Sequence, residues 1–187
     1  VANSNEEGRF VTFSGLEFVG EQGDYNLYFN KDFVNLGSHI PDYKSLFSFA
    51  KRKNAIVIPH HTGYKVGCRG IQWDWFDSSI MPVVEIFSMH GSSENDDGYF
   101  PMDLPWMGPR ETGGTAVNGL KMGKVFGFIS SSDGHNAYPG AYKMGLLAVY
   151  AKELSRQSIW ESILNRRTYG VTGDRILLDF RINKNPM

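Results

Sequence analysis

The amino-acid sequence predicts an α/β fold, and three observations carry that expectation. The apolar runs are short and nearly continuous, two amphipathic segments with polar caps lie between them, and potential metal ligands gather where the runs end. Taken in order, the segments 10–18, 25–29, 55–58, 83–87, 125–129 and 145–150 are rich in Val, Ile and Phe and read as strands. They lack the clean polar and apolar alternation of a strand with one wet face, so each is expected to be buried on both faces, as in a parallel sheet covered by helices. Asp42 is placed to cap a helix whose Tyr43, Leu46, Phe49 and Ala50 share one face. Ser155 is placed to cap a second helix, with Ile159, Trp160, Ile163 and Leu164 as its apolar stripe and Arg166 and Arg167 at the end that favours cations. Between His90 and Leu120 the chain is rich in Gly, Pro and Asp, which predicts a lid or substrate-facing loop.

Composition bounds the function. A chain of 187 residues, 41% hydrophobic and 14% aromatic, can bury one substantial core, so residues 1–187 are expected to form a single domain. The 19 basic and 20 acidic side chains are interspersed and sum to −1, which leaves no electrostatic footprint for nucleic acid or a membrane surface. The one cysteine, Cys68, cannot form an internal disulfide. No run of about 18 apolar residues exists to span a bilayer. The opening VANSNEEGRF has neither the basic nor the apolar region of a signal peptide, which leaves both cytoplasmic and exported locations open. Nothing in the sequence sets the oligomeric state.

Four strand ends carry groups that bind metals. RFVTFSGLEF brings Glu17, AIVIPHHTG brings His60 and His61, VVEIFSMHG brings Glu85 and His90, and VFGFISSSDGH brings Asp133 and His135. In parallel α/β folds the carboxyl ends of the strands open onto one face, so these groups are expected to converge there. Four of the five histidines fall at such ends, and His39 is left as a loop residue. Imidazole with carboxylate suits zinc, manganese or iron, while the lack of thiolates argues against a structural zinc knot. Glu85, inside an apolar run, is expected to need an arginine or backbone amides as partner. Trp73 and Trp75 read as packing residues, with the wall of a substrate pocket as the alternative, and Arg69, Arg166, Arg167 and Arg175 are candidates for holding an anionic group, with solvated surface the expected role for most of them.

The order of Glu in GLEF, His in IPHH, His in EIFSMHG, then Asp and His in SSDGH resembles the second half of the polymerase and histidinol phosphatase (PHP) superfamily. The chain is most similar to a bacterial branch in which phrases such as IPHH, SSDxH and RRTYxVTGDRI recur. The resemblance covers about residues 10–187 and implies a distorted (β/α)7 barrel, incomplete at its amino end because no HxH motif precedes Glu17; at the carboxyl end NKNPM stands where the branch continues. It also implies a cluster of two or three divalent transition metals, zinc, manganese or iron, in the complete domain. Carried onto this chain, Glu17 would bridge ions, and His60 in preference to its neighbour His61 would be a ligand. His90, Asp133 and His135 would complete the set.

The expected activity is therefore metal-dependent hydrolysis of a phosphoester or another small-molecule substrate. Water would be activated at the metals, and His90, Asp133 and His135 would be the catalytic residues, one of the two histidines serving as proton donor. Hydrolysis of C–N or carboxylic ester bonds, and a non-catalytic metal-binding module, are the alternatives that the same ligands allow.

Overall fold

The computed structural model describes residues 2–35, 37, 40–102 and 105–186, so His39 lies outside the described residues. The first layer is an antiparallel sheet of three strands in the order β1 (Ser14–Phe18), β2 (Asp24–Phe29) and, after helix α1 (Tyr43–Lys53), β3 (Ile56–His60). Its register sets Glu17 opposite Asn26 and Asp24 opposite His60. Helix α1 begins at Asp42, whose carboxylate accepts the Ser45 N–H at 2.8 Å, and ends at Asn54 in the left-handed conformation (φ 51°). Lys51, Arg52 and Lys53 crowd its last turn, where the helix dipole favours cations. Its buried face, Tyr43, Leu46, Phe49 and Ala50, packs against Leu27 and Val57 of the sheet.

A second sheet places β4 (Val83–Ser88) between the short antiparallel β5 (Gly91–Ser92) and, after helix α2 (Ala116–Lys121), the parallel β6 (Gly127–Ser130). An antiparallel pair follows, β7 (Leu146–Val149) and β8 (Thr168–Val171), joined through helix α3 (Arg156–Leu164). Thr168 Oγ1 donates to the carbonyl of Phe128, which ties this pair to the edge of β6. A small ribbon of β9 (Arg181–Ile182) and β10 (Asn185–Pro186) completes the described elements. Ser155 caps α3 through the Ser158 N–H at 3.1 Å, and Trp160 and Ile163 are buried beneath it. Leu164, expected in the same stripe, is 43% exposed. Arg166 and Arg167 lie past the helix end, beyond its cap at Asn165.

The architecture corrects the barrel expected from the sequence. The fold is a set of small sheets with few helices, the described strands close no (β/α)7 barrel, and β4 with β6 is the only parallel strand pair among the described residues. Continuous apolar runs report that both faces of a strand are covered, and they say nothing of strand direction. Every residue of β3 is buried because Val57 faces α1, while Ile56 and Ile58 face Trp160 and Ile163 of α3. Direction is set by the connections. The five residues between β1 and β2, with Gly23 at φ 123°, are too few for a crossover and enough for a hairpin. Strand β8 and helix α2 were not anticipated. Thr115, whose hydroxyl accepts the Asn118 N–H at 3.2 Å, gives α2 a start inside the segment read as irregular. Among the described residues, no helix is long and apolar enough to cross a membrane.

Candidate metal centre

Three turns build the site. Strand β3 ends at His60 and the chain bends at once through His61 (φ 35°); β4 runs out to His90; β6 passes through Ser131 and Ser132 to Asp133 (φ 48°). A side chain in the left-handed region costs of order 1 kcal/mol and persists only where surrounding contacts impose it. Glu85 imposes it here. Its carboxylate, fully buried in β4, accepts the His61 N–H at 3.2 Å and the Ser131 hydroxyl, so one residue ties the β3 turn to the β6 turn. Burial raises its pKa, against the opposing pull of His60 and these hydrogen bonds. The backbone amide expected as the partner of Glu85 is thus present.

The side chains these turns carry converge. Asp133 Oδ2 lies 2.8 Å from His90 Nε2, 3.5 Å from His60 Nδ1 and 4.0 Å from His61 Nε2. The other His60 nitrogen, Nε2, is 3.4 Å from Glu17 Oε1, and His61 Nε2 is 3.4 Å from Asp24 Oδ2. Two groups of donors result, Glu17, Asp24, His60 and His61 in one and His61, His90 and Asp133 in the other, each with its ligand atoms within 4.8 Å of one another. Two bonds of about 2.1 Å at a tetrahedral cation set their donor atoms about 3.4 Å apart, which is the separation of both His–carboxylate contacts in the first group. The same distance is long for a hydrogen bond. Accordingly both ring nitrogens of His60 and Nδ1 of His61 are buried without a hydrogen-bond partner among the described residues. Buried polar atoms normally find partners, and a cation could take the lone pair of one nitrogen in each ring once that ring is neutral. The donor set fits a divalent metal.

Charge is divided unevenly across the cluster. Burial, together with the neighbouring imidazoles of His60 and His90, depresses His61 to about 2, so this ring is neutral with a lone pair to offer. Burial acts in the same direction on His60, but Asp133 and Glu17 outweigh it and raise its pKa to about 10. Burial would raise Asp133, yet His60 and His90 hold its carboxyl far below the usual range, so it is ionised. Asp24 moves the other way, raised by burial in spite of the Gly20 amide and of Arg69, whose guanidinium lies 2.9 Å from Oδ2. The Tyr64 hydroxyl lies 2.9 Å from His90 Nδ1 and is pushed up to about 12 by burial and by Asp133. It therefore stays protonated and can fix the tautomer of the His90 ring.

Of the residues expected to bind metal, Glu17, His60, His61, His90 and Asp133 come together, with both histidines of the IPHH pair inside the cluster. His135 stands at its rim, 77% exposed, with Nε2 3.6 Å from Asp133 Oδ1. Three contributors escaped the sequence reading: Asp24, Tyr64 and the pairing of Arg69. The signal for Asp24 was its place ahead of YNLYF. An antiparallel β2 brings its amino end to the mouth where β1 and β3 bring their carboxyl ends, a place that a parallel sheet reserves for carboxyl ends. Trp73 is a packing residue, stacked on Phe126 at 5.4 Å, while Trp75 is partly exposed against Tyr43. An apolar cavity of about 300 Å³, lined by Tyr28, Ile58, Ile129 and Trp160 among others, reaches Ser131 and Ser132 beside Asp133. A larger cavity of about 530 Å³, between Tyr150, Arg167, Leu178 and Phe180, is lined by none of the ligands.

Fold and site together define a protein of small, mostly antiparallel sheets with few helices and a buried His/Asp/Glu cluster able to hold a divalent cation. No protein-family model matches the chain. It is similar to uncharacterized proteins of Chlamydia pneumoniae (30% identity over 204 residues) and Chlamydia muridarum (30% over 206), and of Chlamydia trachomatis (29% over 205). Each match takes in the whole of this chain and 32% of the relative, so the chain spans about a third of the length of the curated relatives it matches. Among solved structures it is similar to a two-domain protein of Bacteroides vulgatus that contains a predicted PHP-like metal-dependent phosphoesterase. The TM-score is 0.53 at 22% identity, over 86% of this chain and 44% of that one. At that identity the likeness concerns the fold.

Proposed function

We propose that this chain is the catalytic part of a metal-dependent phosphoesterase working on a small phosphorylated substrate, with two divalent ions sharing the cluster. The observation that carries this reading is the pair of ligand groups joined at His61, with three buried imidazole nitrogens that have no hydrogen-bond partner among the described residues. The chemistry that bound zinc, manganese or iron supplies is Lewis acidity, which lowers the pKa of water and balances charge on phosphoryl oxygens. The chain's own residues do the rest. Glu17, Asp24 and His60 would hold one position and His90 with Asp133 the other, with the single lone pair of a neutral His61 open to either, while Glu85 keeps the two turns in register. His135, exposed beside Asp133, reaches the open face and donates a proton to the leaving oxygen. The apolar cavity next to Ser131 and Ser132 takes the uncharged part of the ester.

Protein stripped of metal and reloaded with manganese or zinc is expected to hydrolyse p-nitrophenyl phosphate and to leave p-nitrophenyl acetate and an anilide intact. Turnover of the acetate or anilide alone would assign the centre to carboxyl ester or amide chemistry instead.

A further inference from the structure

Arg69 is an odd neighbour for a metal ligand. Its NH1 lies 2.9 Å from Asp24 Oδ2, and that same oxygen lies 3.4 Å from His61 Nε2 within the first ligand group. A guanidinium and a divalent cation are thus competitors for one carboxylate oxygen. The two ends of the pair differ in freedom: Asp24 is buried at 1% exposure, whereas the Arg69 side chain is 36% exposed and can leave without losing its contact with water. Arg69 also sits on a strained backbone (φ 71°) in the tight turn between Val66 and Gly70, which aims the side chain back over the site. Its charge is felt by the Tyr64 hydroxyl, which in turn touches His90 of the second group. The guanidinium and the His61 ring thus meet at one Asp24 oxygen, and His61 belongs to both groups.

We propose that Arg69 is a counterion that yields: it neutralises Asp24 while the first group is empty, and turns to an anionic substrate oxygen once a metal ion has taken Asp24 over. This rests on the phosphoesterase reading and deepens it, since it names the residue that recognises the phosphoryl group. With the cation neutralising Asp24, the guanidinium is repelled and its planar fork of donors is free for two oxygens of a phosphate. Metal loading and anion binding are then thermodynamically coupled, each favouring the other.

Calorimetric titration of the metal-free wild-type and Arg69→Gln proteins with Mn²⁺, then of each loaded protein with inorganic phosphate, tests this. Loading is expected to raise the phosphate affinity of the wild type at least about tenfold. Arg69→Gln is expected to bind manganese as tightly as the wild type or more tightly, and, once loaded, to bind phosphate at least about tenfold more weakly. Arg69→Lys, which keeps the charge but not the fork, should retain the manganese affinity and fall between the two for phosphate. A variant that loses manganese affinity while its phosphate affinity is unchanged would make Arg69 a fixed clamp on Asp24 and overturn the proposal. Equal phosphate affinities in the loaded wild-type and Arg69→Gln proteins would overturn it too, with the metal centre left standing. No manganese uptake by the wild type would overturn both readings together.

Discussion

The two ligand groups that meet at His61 carry their charge in opposite ways. The first has two carboxylates, Glu17 and Asp24, a protonated His60 and a guanidinium standing in at Asp24. The second has one carboxylate, Asp133, already ionised, a neutral His61, and a His90 ring held from behind by Tyr64. A cation entering the first group must displace a proton from His60 and an arginine from Asp24. In the second group Asp133 is already ionised and His61 already neutral, so the proton shared between His90 Nε2 and Asp133 Oδ2 is the one a cation must move. If two ions share the cluster as proposed, the difference predicts an order of filling, second group before first, with the first ion held more tightly than the second.

The largest expected effect comes from Asp133, because it touches His60, His61 and His90 at once. Asp133→Ala should remove at least one ion per chain by elemental analysis and lower phosphoesterase activity about 1,000-fold, equivalent to the several kcal/mol that a metal supplies in charge stabilisation. Unchanged metal content in that variant would sink the two-group description. Next is Tyr64→Phe, which removes the hydroxyl 2.9 Å from His90 Nδ1 and leaves that buried nitrogen without its hydrogen-bond partner. The tighter of the two binding steps should weaken by about 10-fold to 100-fold while the looser is unmoved. Weakening of the looser step alone would reverse the assignment of the two groups.

Acidity should separate the groups further. The folded pKa of His60, about 10, lies above the ordinary histidine value of about 6.5. Its proton therefore stabilises the metal-free fold fully below about pH 6.5, and that stability is lost as pH rises through the folded value. Over that window metal capture by His60 releases a proton, so affinity at the first group should climb by up to about tenfold per pH unit, while the second group changes less. Titrations in buffers of different ionisation enthalpy would count the protons released at each step. The smallest effect is expected from Glu85→Gln, whose amide oxygen can still accept from His61 while its NH2 faces Ser131. A loss of about 1 kcal/mol, or roughly 2–4 °C in Tm, should follow with both metal steps preserved. If Glu85→Gln abolished metal binding, Glu85 would be a ligand and not the tie between the turns.

Much of the site was legible in the sequence because ligands announce themselves by type and place. His60, His61, His90 and Asp133 each follow an apolar run, and strands deliver their ends to a common edge whichever way they run. Asp24 was not legible, since it precedes its strand and joins the others only because β2 runs antiparallel to β1 and β3. Arg69 and Tyr64 were harder still, for their partners are 45 and 26 residues away in the chain. The helices were read well where caps and periodicity agree, as at Asp42 and Ser155. Helix α2 was passed over because its six residues contain Asn118 and Gly119 and hold together through Thr115 and packing against Trp73.

The sequence by itself determined which stretches are apolar, where two helices begin, and which donor atoms are available to a cation. Those properties reside in single residues and their nearest neighbours. Only the tertiary structure decided strand direction, the absence of a closed barrel among the described strands, the sharing of His61 between two groups and the pairing of Arg69 with Asp24. Each of these is a relation between distant segments, fixed by how β3 is covered on both faces and by which turns Glu85 joins, and no local pattern encodes it.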